Sequence, residues 1–208
     1  MHGRGKWAAL GGGLLFCWAA QAQTILTNYQ DGTQNIVFVG PDQHIYQIVA
    51  TGSTWVSADV TAAAGLPVAA TGTALSSFVD GNAIGISFFG SNQHAYEAVY
   101  VAGQGWSGVD VTAAANLPAA AVGSALTTYL DGDQNWVYQG ASQHIYEAVF
   151  NGAWSGFDVT AASGLPTAAS GTAISSFVDG NAIGISFFGS NQHAYEAFYL
   201  GQGWVEWM

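Results

Sequence analysis

The residues of this chain best equipped for chemistry come as one repeated set. Gln-His-x-Tyr occurs at His44, His94, His144 and His193, and the next residue is Glu97, Glu147 or Glu196 in three copies and Gln47 in the first. Each copy is followed by a glycine-containing turn and a tryptophan: Trp55, Trp106, Trp154 and Trp204. An indole face packs against the C–H face of a pyranose, and a carboxylate accepts hydrogen bonds from its hydroxyls with charge-assisted strength. Tyr96, Tyr146 and Tyr195, which precede the glutamates, add further aromatic surface. The ten residues Trp55, Trp106, Trp154, Trp204, Glu97, Glu147, Glu196, Tyr96, Tyr146 and Tyr195 therefore form a candidate carbohydrate-binding set. The same residues also have a structural reading, in which the tryptophans pack between repeats and the Tyr-Glu pairs bond across strands.

Other chemistry is less well supported. Four symmetric imidazoles could hold a transition metal if they lay on an innermost strand. Their position on the third strand of each repeat predicts instead that they satisfy a backbone carbonyl or a polar group of a neighbouring blade. Asp131, Asp133 and Asn135 have the alternating oxygen spacing of a calcium loop, but the other copies lack the middle aspartate. Asp59, Asp110 and Asp158, each two residues before a Thr, suit helix or turn capping. No metal or cofactor is expected. The chain has neither Gly-x-Ser-x-Gly nor His-Glu-x-x-His, and its polar residues recur in every copy instead of building one asymmetric centre. It is read as a non-enzyme, with a glycoside hydrolase or lyase that pairs Glu147 with an aspartate as a minor alternative.

The elements that position this set repeat with a period of roughly 50 residues. Alternating apolar residues at Ile84, Ile86 and Phe88 predict a half-buried strand, and Ala74 to Val79, the segment around His94 and the segment from Trp106 to Val111 supply three more. Asp-Gly pairs at Asp31, Asp80, Asp131 and Asp179 supply hairpin turns. Thr-Ala-Ala stretches ending in Leu-Pro, as at Thr61 to Pro67, read as linkers with one helical turn. Four antiparallel strands per repeat, in a meander, predict an all-β β-propeller with four blades: 23–70, 71–120, 121–169 and 170–208. A β-solenoid and a β-sandwich are the rival folds. Gly85, Ser87, Gly184 and Ser186 are expected on the crowded strand nearest the axis. The second and fourth copies are nearly identical, with Phe78 to Gly90 and Phe177 to Gly189 the same at every position, so a two-blade unit has been duplicated. The four blades either close alone or complete a larger ring by homo-oligomerisation.

Composition sets the compartment and the partners. Arg4 and Lys6 are the only cations, and they precede the apolar run Trp7 to Ala20 and an Ala20-Gln21-Ala22 tripeptide. This pattern predicts a secretory signal peptide over 1–22, hence a secreted protein, extracellular or periplasmic. Cys17 lies inside it, so 23–208 is expected to fold without disulfides. All 13 Asp and Glu lie after residue 22. An acidic surface without Lys or Arg excludes nucleic acid as a partner, and no run is long enough for comfortable membrane insertion. Neutral or cationic partners remain.

The pattern Asn92-Gln93-His94-Ala95-Tyr96-Glu97, Gly105-Trp106 and Asp110-Val111-Thr112 resembles the β-propeller lectins, in particular the fucose-specific and tachylectin-like blade repeats. The likeness covers nearly all of the chain after residue 22. It implies glycan binding in shallow pockets between neighbouring blades. Fucose-specific members use an arginine beside the glutamate, and 23–208 has none, so fucose specificity is not implied. The expectation is a multivalent lectin for neutral sugars. The competing class is a secreted structural or protein-interaction propeller, which could bury its aromatic and acidic residues.

Overall fold

The computed structural model describes residues 26–201 and 203–207. The expected signal peptide, with Cys17, lies outside them. The described chain forms four sheets of four antiparallel strands, each a simple meander. The first blade is β1 (Leu26–Gln30), β2 (Gln34–Val39), β3 (Ile45–Thr51) and β4 (Thr54–Asp59), and helix α1 (Val60–Ala64) leads out of it. The second is β5 (Leu75–Asp80), β6 (Ala83–Phe89), β7 (Ala95–Val101) and β8 (Gly105–Asp110), followed by α2 (Val111–Ala114). The third is β9 (Leu126–Leu130), β10 (Gln134–Gln139), β11 (Ile145–Phe150) and β12 (Trp154–Asp158), followed by α3 (Val159–Ser163). The fourth is β13 (Ile174–Asp179), β14 (Ala182–Phe188), β15 (Ala194–Tyr199) and β16 (Trp204–Trp207).

The Asp-Val-Thr motif accounts for how each blade hands over to the next. Asp110 caps α2, its carboxylate accepting from the Ala113 N–H at 2.9 Å through Oδ1 while Oδ2 meets His94 Nδ1 at 2.8 Å. Asp59 and Asp158 repeat this with His44 and His144. These three histidines bond to an aspartate of their own blade, not to a backbone carbonyl or a neighbouring blade as expected, because the end of the fourth strand lies beside the start of the third; they stack on Tyr46, Tyr96 and Tyr146. Val60, Val111 and Val159 are fully buried, and the Thr61, Thr112 and Thr160 hydroxyls accept from the backbone of Ile45, Ala95 and Ile145. Gln43, Gln93 and Gln143 turn with positive φ, and their carbonyls accept at 2.8–2.9 Å from Ala69, Ala120 and Ala168, linker residues that bridge to Gly90, Gly140 and Gly189 of the next blade. The Gln-His pair is therefore joint chemistry.

The first strands of successive blades lie side by side, β1 by β5, β5 by β9 and β9 by β13. Hydroxyls link them: Thr27 with Ser77 at 3.1 Å, Ser76 with Thr128 at 2.6 Å, and Thr127 with Ser176 at 3.0 Å. The first strand is the innermost, which corrects the placing of Gly85, Ser87, Gly184 and Ser186 nearest the axis. Those residues lie on β6 and β14, the second strands. Glycine is needed there for a different reason: a Cβ on Gly85 would stand 2.0 Å from the Phe78 ring, and one on Gly184 2.2 Å from the Phe177 ring. The sheets form an open arc. Phe89 is 2% exposed beneath the third blade, whereas Phe188, its counterpart on the fourth, is 52% exposed.

Candidate functional site

Alternation along the strands decides which side chains meet between blades. On the second blade Phe89, Ala95, Glu97 and Val99 face the third, which presents Gln134, Trp136, Tyr138 and Trp154 in return. Outward from the buried contacts the blades diverge, leaving a cleft of about 690 Å³ lined by Glu97, Phe78, Asp80, Gln134, Phe150 and Trp154. A second cleft, of about 400 Å³, lies between the third and fourth blades. Glu147, Asp131, Asp133, Phe157, Tyr199 and Trp204 line it. Each cleft pairs the glutamate of one blade with the tryptophan of the next.

The two carboxyls are more deeply placed than the sequence reading anticipated. Glu97 is fully buried and Glu147 nearly so, because each sits on the third strand beneath the packed joint. Desolvation pushes the Glu97 carboxyl up to about 7, against the lowering effect of Gln134 Nε2, which donates to its Oε2 at 2.6 Å. Desolvation also pushes Glu147 up to about 7; the Tyr129 hydroxyl, which donates to its Oε1, acts the other way, and the Asp131 charge adds to the rise. In the first blade Gln47 takes this place, donating to the Tyr29 hydroxyl and, at 2.9 Å, to Asn35 Oδ1.

The copies are thus not chemically equal. Asn35 and Asn135 belong to the polar groups of the first and third blades, whereas Gly85 and the Phe78 ring occupy the corresponding place in the second. In the second blade Glu97 Oε1 and Ser87 Oγ are buried without a hydrogen-bond partner, as is Trp136 Nε1 in the third. In the fourth, Ser186 Oγ donates to Glu196 Oε1 at 3.1 Å.

Other residues named from sequence are positioned differently. Trp106 packs with Tyr100 at the joint of the first two blades, at 5.4 Å between ring centres. Trp55, at the same place on the first blade, has no blade before it among the described residues and is 52% exposed. Tyr96, Tyr146 and Tyr195 line neither cleft. Their hydroxyls bond to Asn92, Ser142 and Asn191 in the turns before their strands, and their rings lie where a Cβ on Gly90, Gly140 or Gly189 would fall. They fix the turn that carries the histidine. Gln134 and Tyr129, which hold the glutamates, went unnamed in the sequence reading: they recur in the first copy alone, as Gln34 and Tyr29, and the near-identical copies have Ile84 or Ile183 and Phe78 or Phe177 at these places. Asn135 donates to Asp131 Oδ1 at 2.8 Å, so the calcium-like spacing is closed on itself. Among the described residues no three metal-capable side chains cluster, and no helix is long and apolar enough to cross a membrane.

No protein-family model matches the chain, and no curated protein does. Solved structures do. The chain is similar to the SapL1 lectin, whose structure is in complex with alpha methyl fucoside, with a TM-score of 0.67 at 18% identity over 90% of this chain and 63% of that one. It is similar to AofleA from Arthrobotrys oligospora, with a TM-score of 0.67 at 19% identity over 90% of this chain and 56% of that one. A lectin of Aleuria aurantia, described as a six-bladed β-propeller with a novel fucose recognition mode, superposes with a TM-score of 0.52 at 14% identity, covering 89% and 78% of the two chains. The fold is the all-β blade architecture of the β-propeller lectins. The chain spans under two thirds of the length of SapL1 and AofleA.

Proposed function

We propose that this protein is a non-enzymatic lectin that binds neutral sugars in the clefts between blades, at several sites per chain. The supporting observation is the repeated pairing of Glu97 with Trp154 and Glu147 with Trp204 in clefts of sugar-accommodating size. A pyranose would lay its C–H face on the indole and direct hydroxyls toward the buried carboxyl and its amide or phenol partner. The similar structures include the SapL1 lectin in complex with alpha methyl fucoside and a fucose-recognising lectin of Aleuria aurantia, which supports this class. Fucose itself is not proposed, because no Lys or Arg accompanies the glutamates; the side-chain donor to Glu97 is the neutral amide of Gln134. Secretion through a signal peptide over 1–22, with a propeller domain over 23–208, belongs to the same reading. Several weak sites would gain avidity on one glycan-bearing surface.

A structural or protein-interaction propeller is the second reading, favoured by one observation: Glu97 is fully buried. Binding of the folded protein to an immobilised panel of neutral glycans separates the two. Competition by free monosaccharide, and loss of signal in Trp154→Ala and Trp204→Ala, would support the lectin. Absence of binding to every neutral glycan would transfer the weight to the second reading.

A further inference from the structure

We infer that the open faces of the first and last blades dock on each other between two copies of this chain, head to tail, in the register of the joint between the second and third blades. The argument is one of matching parts. At that internal joint Phe89 meets Tyr138 edge-on, with ring centres 5.9 Å apart, Leu126 packs on the same cluster, and Gln134 reaches back to Glu97. The fourth blade repeats the donor half of this joint, with Phe188 for Phe89, Ala194 for Ala95 and Glu196 for Glu97. The first blade repeats the receiving half, with Phe38, Leu26, Trp55 and Gln34 at the places of Tyr138, Leu126, Trp154 and Gln134.

Both halves are uncovered among the described residues. Phe188 is 52% exposed, Leu26 60% and Trp55 52%. Gln34 decides the register. The blades that follow Gln47 and Glu147 carry isoleucine at this place, Ile84 and Ile183, so among the described joints the one from second to third blade alone pairs a glutamate with a glutamine. Glu196 has no such glutamine, and its Oε1 is held by Ser186 of its own blade. Docked on the partner's Gln34, Glu196 would turn outward as Glu97 does. Such a contact uses different patches on the two copies, so it yields a ring if the rotation closes and a filament if it does not. It also completes a cleft between Glu196 and the partner's Trp55. The joint stands apart from the glycan reading; only sugar binding in the completed cleft rests on it.

Sedimentation of the full chain over a range of concentrations, with two face-blocking variants, tests the inference. Phe188→Asp blocks one face and Trp55→Asp the other, and melting temperatures establish that both fold. Where Trp55→Asp melts early, Leu26→Glu blocks the same face. The wild type is expected to reach at least twice the single-chain mass, each variant alone to stay at the single-chain mass, and an equimolar mixture to form a dimer that grows no further. A wild type of single-chain mass up to hundreds of micromolar, a variant that self-associates, or a mixture that does not dimerise would overturn it.

Discussion

Gln134 of the third blade donates to Glu97 of the second across their joint, Nε2 to Oε2 at 2.6 Å, and this one bond replaces the contact that the fourth blade makes internally between Ser186 and Glu196. A buried carboxyl that loses its donor bears the full cost of desolvation, about 1 to 3 kcal/mol. Gln134→Ala is therefore expected to lower stability by about that amount and to raise the Glu97 carboxyl further. Denaturant unfolding of Gln134→Ala, Glu97→Gln and the double variant measures the coupling, which should be clearly non-zero.

Stability should fall as pH rises from mildly acidic to neutral. Glu97 and Glu147 titrate near 7 in the folded chain, against 4.5 for an ordinary glutamate. Because the folded pKa is raised, the folded state holds protons that the unfolded state has released between these values. The resulting contribution is complete below about 4.5, declines through neutrality and is gone above about 7, and amounts to a few kcal/mol in total. Melting curves from pH 5 to pH 8 check it, and Glu97→Gln with Glu147→Gln should flatten the dependence.

The aspartates of the linkers should behave as caps. Asp110→Ala removes the acceptor of the Ala113 N–H and the partner of His94 together. A loss of roughly 1 kcal/mol or somewhat more is expected. Asp110→Asn, which keeps a capping oxygen, should recover most of it in the same unfolding assay.

Gly85→Ala should destabilise the second blade, because its Cβ would meet the Phe78 ring at 2.0 Å. Overpacking of this kind costs roughly 1 to 3 kcal/mol. Replacing Phe78 by Leu in the same chain is predicted to restore part of that loss, which thermal unfolding would show.

The repeat made the blades legible in sequence, since Asp-Gly turns, period-two alternation and Asp-Val-Thr caps are local signals. The resemblance to β-propeller lectins holds at the level of fold. What sequence left unread depends on which blade faces which. Gly85 suggested a crowded axis strand, yet its neighbour is the Phe78 ring of the adjacent strand. Tyr96 sits next to Glu97, and strand alternation sends the two to opposite faces of the blade. The pairing of Gln134 with Glu97 is not readable from sequence, because the two are 37 residues apart and meet across a joint.

The central claim, that sugars bind between blades, is tested most directly by calorimetric titration of the folded protein with the monosaccharide that competes best. Phe188→Asp as the parent chain keeps any cleft between copies out of the count. Two equivalents per chain are predicted for the clefts at Glu97 and Glu147, one lost in Trp154→Ala and the other in Trp204→Ala. Undiminished stoichiometry in both variants, or no heat with any neutral sugar, would contradict the account.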